Sequence, residues 1–258
     1  MLGHRYHIHK NAWGPNKATG LSQRQRRIVG INALAKKNPD HEFEIYNELV
    51  ASRLGQYMGL PIPVGMVLEK DSELFYASCH VSAATEELPD ADLNRFCRDK
   101  ADLACGVMVF DAWTANDDRH LENIWYNYYE DETFVFDQGN ALLSDEGESH
   151  LHSAEKCLCV RYANDALSQF ITSLDSFSIW YEAILRIPTS AITALVIEAS
   201  AVGVDKMLGE KVGAWLLKRR EILPRLFRDE VGRFPRLEMS LLDPFAGYEN
   251  DPPPEYII

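Results

Sequence analysis

Residues 110–143 read FDAWTANDDRHLENIWYNYYEDETFVFDQGNALL, a polar run set inside an apolar segment. Asp117, Asp118, Arg119, His120 and Asn123 lie among aromatic and aliphatic neighbours, and one further acid, Asp137, sits alone in FVFDQG. Polar groups beside Phe, Trp and Val need partners, because burying a bare carboxylate or carboxamide is costly. A helix-to-loop corner would satisfy them with water. A bound metal and its anionic ligand would satisfy them differently, and the spacing of the residues favours that reading.

Magnesium takes hard oxygen ligands and keeps several waters, so one or two protein oxygens plus phosphates complete its shell. Asn123 and Asp137 are such a pair. Asp118, five residues before Asn123, is then an acid left over to orient and deprotonate an attacking hydroxyl. Asp, Asn five residues on, then Asp after a β-like run and before a turn is the spacing used for phosphoryl transfer in protein kinases. The phosphates also need a cation. Lys36 and Lys37 end the β-compatible stretch RIVGINALAKK, and strand alternation lets only one of them point inward.

The rest of the chain bounds the fold. HEFEIYNELVASRLGQYM places Phe43, Tyr46, Val50, Leu54 and Tyr57 at steps of three and four, which predicts an amphipathic helix over 41–58 capped by Asp40 and ended by Gly59. VGMVLEKDSELFYASCHV predicts two strands around a turn at 70–72. Residues 91–115 read as one long helix, and nearly everything from 153 onward reads as helical. The division predicted is a strand-and-helix unit over 1–81 and a helical unit with the site over 82–258.

A net charge of −13 argues against a general nucleic-acid or anionic-membrane binder. With no apolar run near 18 residues and no leader-like start, a cytoplasmic location is expected. Five cysteines without CxxC spacing suggest scattered, mostly buried thiols, and His4, His7 and His9 lack the acids or thiols of a metal site. The arginine-rich run KRREILPRLFRDEVGRFPR mixes with acids at helical spacing and reads as a solvated face. Trp113 and Trp125 flank the polar run and should pack it.

FDAWTANDDRHLEN resembles the catalytic loop of the HipA-like kinases and, more distantly, of phosphatidylinositol 3/4-kinases, in the pattern N-x-D-R-H-x-x-N. YNELVASRLGQYMGLPIP resembles the N-E-L helix and G-L-P-x-P segment of the same family, and the similarity covers about residues 28–143. It implies an α+β, two-lobed protein-kinase-like fold with a small β-containing N-lobe and a larger, mostly helical C-lobe. It also implies a phosphotransferase using ATP and Mg2+, acting on a Ser or Thr hydroxyl of a protein. Asp118 would be the base, Asn123 and Asp137 the metal ligands, Arg119 and His120 braces of the loop, and Asn116 the residue that shapes its turn. Lys36 or Lys37 would hold the phosphates, and Lys36 is favoured because ALAK resembles the strand ending in Lys of the kinase pattern.

Glu48 would pair with that lysine, although a helical wheel puts it opposite the apolar stripe, on the side expected to face solvent. WGPNKATGLSQ would cover the phosphates without G-x-G-x-x-G spacing, with Thr19 and Ser22 as possible self-phosphorylation sites. The adenine would lie near 75–81. A small-molecule or lipid head-group kinase, or a pseudokinase serving as an interaction module, are the other readings. The resemblance further implies a protein substrate and allows an antitoxin-like partner, with neither nucleic acid nor membrane bound directly.

Overall fold

In a computed structural model of the chain, the described residues are 13–17, 26–29, 33–38, 42–79, 91–159, 163–238, 243–245 and 248. Two short strands, β1 (Trp13–Lys17) and β2 (Arg26–Val29), pair antiparallel. A separate three-stranded sheet follows, with β5 (Glu73–Cys79) paired antiparallel between β3 (Ala33–Lys36) and β4 (Gly65–Lys70). The β4–β5 turn is made by Asp71 and Ser72, both at positive φ, which suits the twist of a two-residue hairpin.

Between β3 and β4 runs α1 (Glu44–Met58), which packs on β4 and β5 and also meets two helices from much later in the chain. Because it is sandwiched, it is buried almost all round. Phe43, Tyr46, Val50 and Leu54 of the predicted stripe are buried, but so are Asn47, Glu48, Ala51, Ser52 and Gly55, while Tyr57 is exposed. The helix starts three residues later than expected. Asp40 lies outside the described residues, and Asn38 accepts from the Ile45 N–H at 2.9 Å near the helix start. Gly59 ends the helix at φ 89°, a conformation that strongly favours glycine.

The predicted long helix over 91–115 is two helices, α2 (Leu93–Asp99) and α3 (Ala101–Thr114), broken at Lys100 (φ −129°). Every residue of α3 from Ala104 to Thr114 is buried, which makes it the central element of the core. The strands β6 (Ile124–Asn127) and β7 (Glu132–Val135) pair antiparallel directly after the polar loop. The GLPIP segment is tied to them, since the Val135 N–H bonds the Pro61 carbonyl at 3.0 Å.

Beyond them lie α4 (Glu148–Ala154), α5 (Phe177–Leu185), α6 (Thr189–Ala199) and α7 (Lys206–Asp229). The helix expected over much of 153–174 is absent beyond the end of α4: among the described residues after 154 that stretch holds only turns, irregular backbone and one short 3-10 segment, Leu167–Gln169. The arginine-rich run is mostly at the surface, but Arg219 is buried and donates to the carbonyls of Ala112, Ala154 and Cys157. No single described helix is long and apolar enough to cross a membrane; α5 and the α6 region would pass only as a sharply bent pair. Their apolar faces (Phe177, Tyr181, Ile184, Ile192, Val196) are buried in this core.

Candidate active site

Core helix α3 carries the first polar residue of the site, Asp111, in a stretch otherwise made of apolar and small residues. It ends at Ala115, held in the left-handed region at φ 54°, and the N–H groups of Ala115 and Asn116 both bond the Asp111 carbonyl. A reversal this tight turns residues 116–123 back over the helix end.

Arg119 holds that loop from below. Its Nε and one terminal nitrogen bond the two carboxylate oxygens of Asp111 at 3.0 and 2.9 Å, a bidentate pair that is almost entirely buried. The same guanidinium donates to the Gln138 side-chain oxygen at 2.8 Å and to the carbonyls of Asn123 and Phe136. Asn116 donates to Asp111 and Gln138 (3.3 and 3.4 Å), and its own oxygen accepts from the Asp118 N–H at 3.1 Å. Asn116 and Arg119 thus tie the turn to α3 and to Gln138. Burial pushes the Asp111 carboxyl up against the opposing pull of Arg119.

Asp118 comes out on the open side of this frame, its side chain 18% exposed. One carboxylate oxygen accepts from Asn140 Nδ2 at 2.7 Å. The His120 Nε2 stands 4.0 Å from the other, while His120 Nδ1 accepts from the Glu122 N–H at 3.3 Å. In the neutral ring that bond leaves the proton on Nε2, facing Asp118. Asn123 is pinned by its Nδ2 donating to the Asp118 carbonyl at 2.7 Å, which leaves its side-chain oxygen as the ligand-capable atom. The Phe136 N–H bonds the Asn123 carbonyl at 2.9 Å and so sets Asp137 beside Asn123.

Asp137 is at φ 55°, a left-handed position that Asp tolerates better than most residues. Its Oδ2 lies 2.7 Å from Lys36 Nζ, which also donates to Glu48 Oε1 at 2.9 Å, with Glu44 at 3.9 Å. Burial works to lower the Lys36 pKa, but Glu48 and Asp137 outweigh it and raise it well above the ordinary lysine value. For Asp137 burial is overcome by Lys36, and the carboxyl is held below its usual range. Glu48, nearly fully buried, is pushed up by burial in spite of Lys36.

Asn47 completes the join between α1 and the 137–143 turn: it donates to the carbonyls of Gly139 and Leu143, both at 2.7 Å, and accepts from the Leu143 N–H. Only glycine fits at 139 without displacement, since a Cβ there would lie 3.0 Å from Glu44 Cγ.

The residues singled out in the sequence are thus brought together, with one exception. Lys37 points away and pairs with Glu73 at 3.4 Å among exposed side chains. Glu48 faces Lys36 rather than solvent. Trp113 packs on α7, donating to the Leu216 carbonyl, and Trp125 stacks on Phe134. Of the expected phosphate-covering segment, residues 18–23 lie outside the described residues, as do Thr19, Ser22, the three N-terminal histidines and all of 80–90.

Asp111, Gln138, Asn140 and the role of Asn47 went unread. One signal was available for Asp111, a lone acid inside the apolar helix ACGVMVFDAW, which needs a cation. Among the described residues no group of three or more His, Cys, Asp or Glu side chains could hold a metal by itself. The donor set fits magnesium on another ground: Asn123 and Asp137, brought near each other by the Phe136–Asn123 backbone bond, could offer two hard oxygens, and phosphates and water would supply the rest.

The family model for HipA-like kinases matches residues 34–188, more than half of the chain. The chain belongs to that family. The match contains Lys36, Glu48, the 116–123 loop and Asp137, and so takes in every element of the site just described. Among solved structures, a proinflammatory kinase from Helicobacter pylori, CtkA, is similar at a TM-score of 0.57 and 14% identity, covering 88% of this chain and 96% of that one. It shares the mixed α/β fold of small sheets and several helices. HipA from Shewanella oneidensis MR-1, solved with HipB and operator DNA, aligns at a TM-score of 0.32 and 12% identity over 92% of this chain and 60% of that one. No curated protein matches the chain significantly.

Proposed function

We propose that this HipA-like kinase transfers the terminal phosphoryl group of ATP, bound with Mg2+, to a Ser or Thr hydroxyl of a protein. The observation that carries the reading is the meeting of Lys36, Glu48 and Asp137 within 2.9 Å contacts, from three separate parts of the chain, beside the Asn123–Asp118 loop. Lys36 holds phosphate oxygens, and Glu48 keeps its ammonium aimed there. Asn123 and Asp137 present oxygens to the metal, which when bound neutralises charge on the phosphates. Asp118, steadied by Asn140, orients the acceptor hydroxyl and takes its proton. Arg119, Asp111 and Gln138 keep the loop rigid so that little reorganisation is needed. A two-lobed arrangement over 1–81 and 82–258, with the site between its lobes, accords with this reading.

The protein acceptor rests on family membership, and so does a regulatory protein partner. Calorimetry with ATP, with and without Mg2+, on the wild type and on Asp137→Ala tests the site. Magnesium-dependent binding in the wild type and its loss in the variant are expected. A folded wild type that binds no nucleotide would sink the reading.

A further inference from the structure

Two thiols that take no part in this chemistry lie close to the loop. The sulfurs of Cys157 and Cys159 are 3.2 Å apart. In extended backbone, residues two apart share a face but stand roughly 7 Å from one another. Here Cys159 sits at φ 58°, which curls the chain and turns the two side chains together. Both are half-buried and reduced, whereas Cys79, Cys97 and Cys105 are buried. They are a pair, not two of five scattered thiols.

The turn that carries them is tied to the candidate active site from both ends. Upstream, buried Arg219 donates to the carbonyls of Ala154 and Cys157 and, at 2.6 Å, to that of Ala112 on α3, next to Asp111. Downstream, Ala166 pairs with His120 in an isolated antiparallel bridge, and the Leu167 N–H bonds the Arg119 carbonyl at 2.9 Å. The thiols also differ from each other. Either sulfur can donate in their shared hydrogen bond; with Cys159 donating, that bond lowers Cys157 against burial, with Arg219 helping, and raises Cys159. One attacking thiolate beside one resolving thiol is the arrangement that thiol–disulfide exchange uses.

We propose that Cys157 and Cys159 form a redox modification site, oxidised to an intrachain disulfide by a low-molecular-weight disulfide, and that loop 116–123 senses the change through Arg219 and the Ala166–His120 bridge. In the first step the Cys157 thiolate attacks one sulfur of the small disulfide; its S–S bond breaks, a mixed disulfide forms and one thiolate leaves. Cys159 then loses its proton to solvent and attacks the Cys157 sulfur, expelling the second thiolate. Both released thiolates take up protons. The two cysteines lose two electrons, and the small disulfide gains them.

The test treats the full chain with oxidised glutathione, blocks remaining thiols with N-ethylmaleimide, and reads intact mass and linked peptides. Expected are the loss of two hydrogens with the bond mapped to Cys157–Cys159, and alkylation of Cys157 in the reduced protein about tenfold faster than at Cys79, Cys97 or Cys105. Cys159→Ser, or Cys159→Ala if the first does not fold, should trap glutathione on Cys157. Hydrogen exchange of residues 117–120 and 163–167 should differ between the oxidised and reduced protein. A pair that stays reduced, or a bond formed at other cysteines, overturns the site. Unchanged exchange in fully oxidised protein overturns its link to the loop. None of these readouts involves phosphoryl transfer, so the outcome is independent of the proposed activity.

Discussion

Asp137 and Gln138 are neighbours in sequence but belong to two differently built clusters. Gln138 joins Arg119 and Asp111, whose side chains are 4% and 1% exposed and whose polar atoms are met by protein. Asp137 joins Lys36, and these two are 34% exposed each. The inner pair cannot change partners without leaving a charge bare in the core, where its cost is large. The outer pair can trade protein contacts for those of a ligand, since both side chains are open to solvent; on the proposed function that ligand is phosphate and metal. A site that must be rigid and also exchange ligands needs both kinds of cluster, one residue apart.

The sharpest test of that contrast is at the acid between them. Asp118→Asn should lower phosphoryl transfer by about three orders of magnitude while ATP affinity and stability stay near wild type; transfer at the wild-type rate would remove Asp118 from the role of base. Asp111→Ala comes next, because it strands Arg119 in the core. Chemical denaturation should show a loss of about 3–5 kcal/mol. Asp137→Ala should cost no more than about 1 kcal/mol of stability, since its side chain is a third exposed and Lys36 keeps its contact with Glu48, yet weaken magnesium-dependent ATP binding by about tenfold or more. Equal destabilisation by Asp111→Ala and Asp137→Ala would break the comparison.

The smallest effect is a pH dependence at Asp137. Its folded pKa is depressed below the ordinary carboxylate value, so its contribution is complete above the unfolded pKa and disappears as pH falls through the still lower folded one. The stability difference between wild type and Asp137→Asn should therefore be flat above about pH 5 and shrink in acid. A difference that grew on acidification would contradict the Lys36 contact.

Much of this was legible before any coordinates. Residues 116–123 and 137 could be read as a site because their chemistry is local: spacing along one loop and one strand end. The β4–β5 hairpin, the Gly59 stop and helices α5, α6 and α7 were legible for the same reason, through turn residues and periodicity. The polar braces were harder. Asp111 and Arg119 meet only because Ala115 reverses the chain, and Gln138 comes in from beyond a hairpin. Cys157 and Cys159 look like any two thiols until φ at Cys159 is known.

Glu48 marks the boundary most clearly. Periodicity alone turns it toward solvent, because a helical wheel assumes one apolar face packed on one neighbour. In the fold α1 is enclosed by a sheet on one side and by helices from the far end of the chain on another, so a second face is buried and Glu48 meets Lys36 there. The amino-acid order by itself determined which residues could hold a metal, a phosphate and a proton, since those are properties of side-chain type and close spacing. Which lysine faces the acids, which acids are buried and which thiols touch was decided by the tertiary structure, because each depends on groups far apart in sequence being packed against one another.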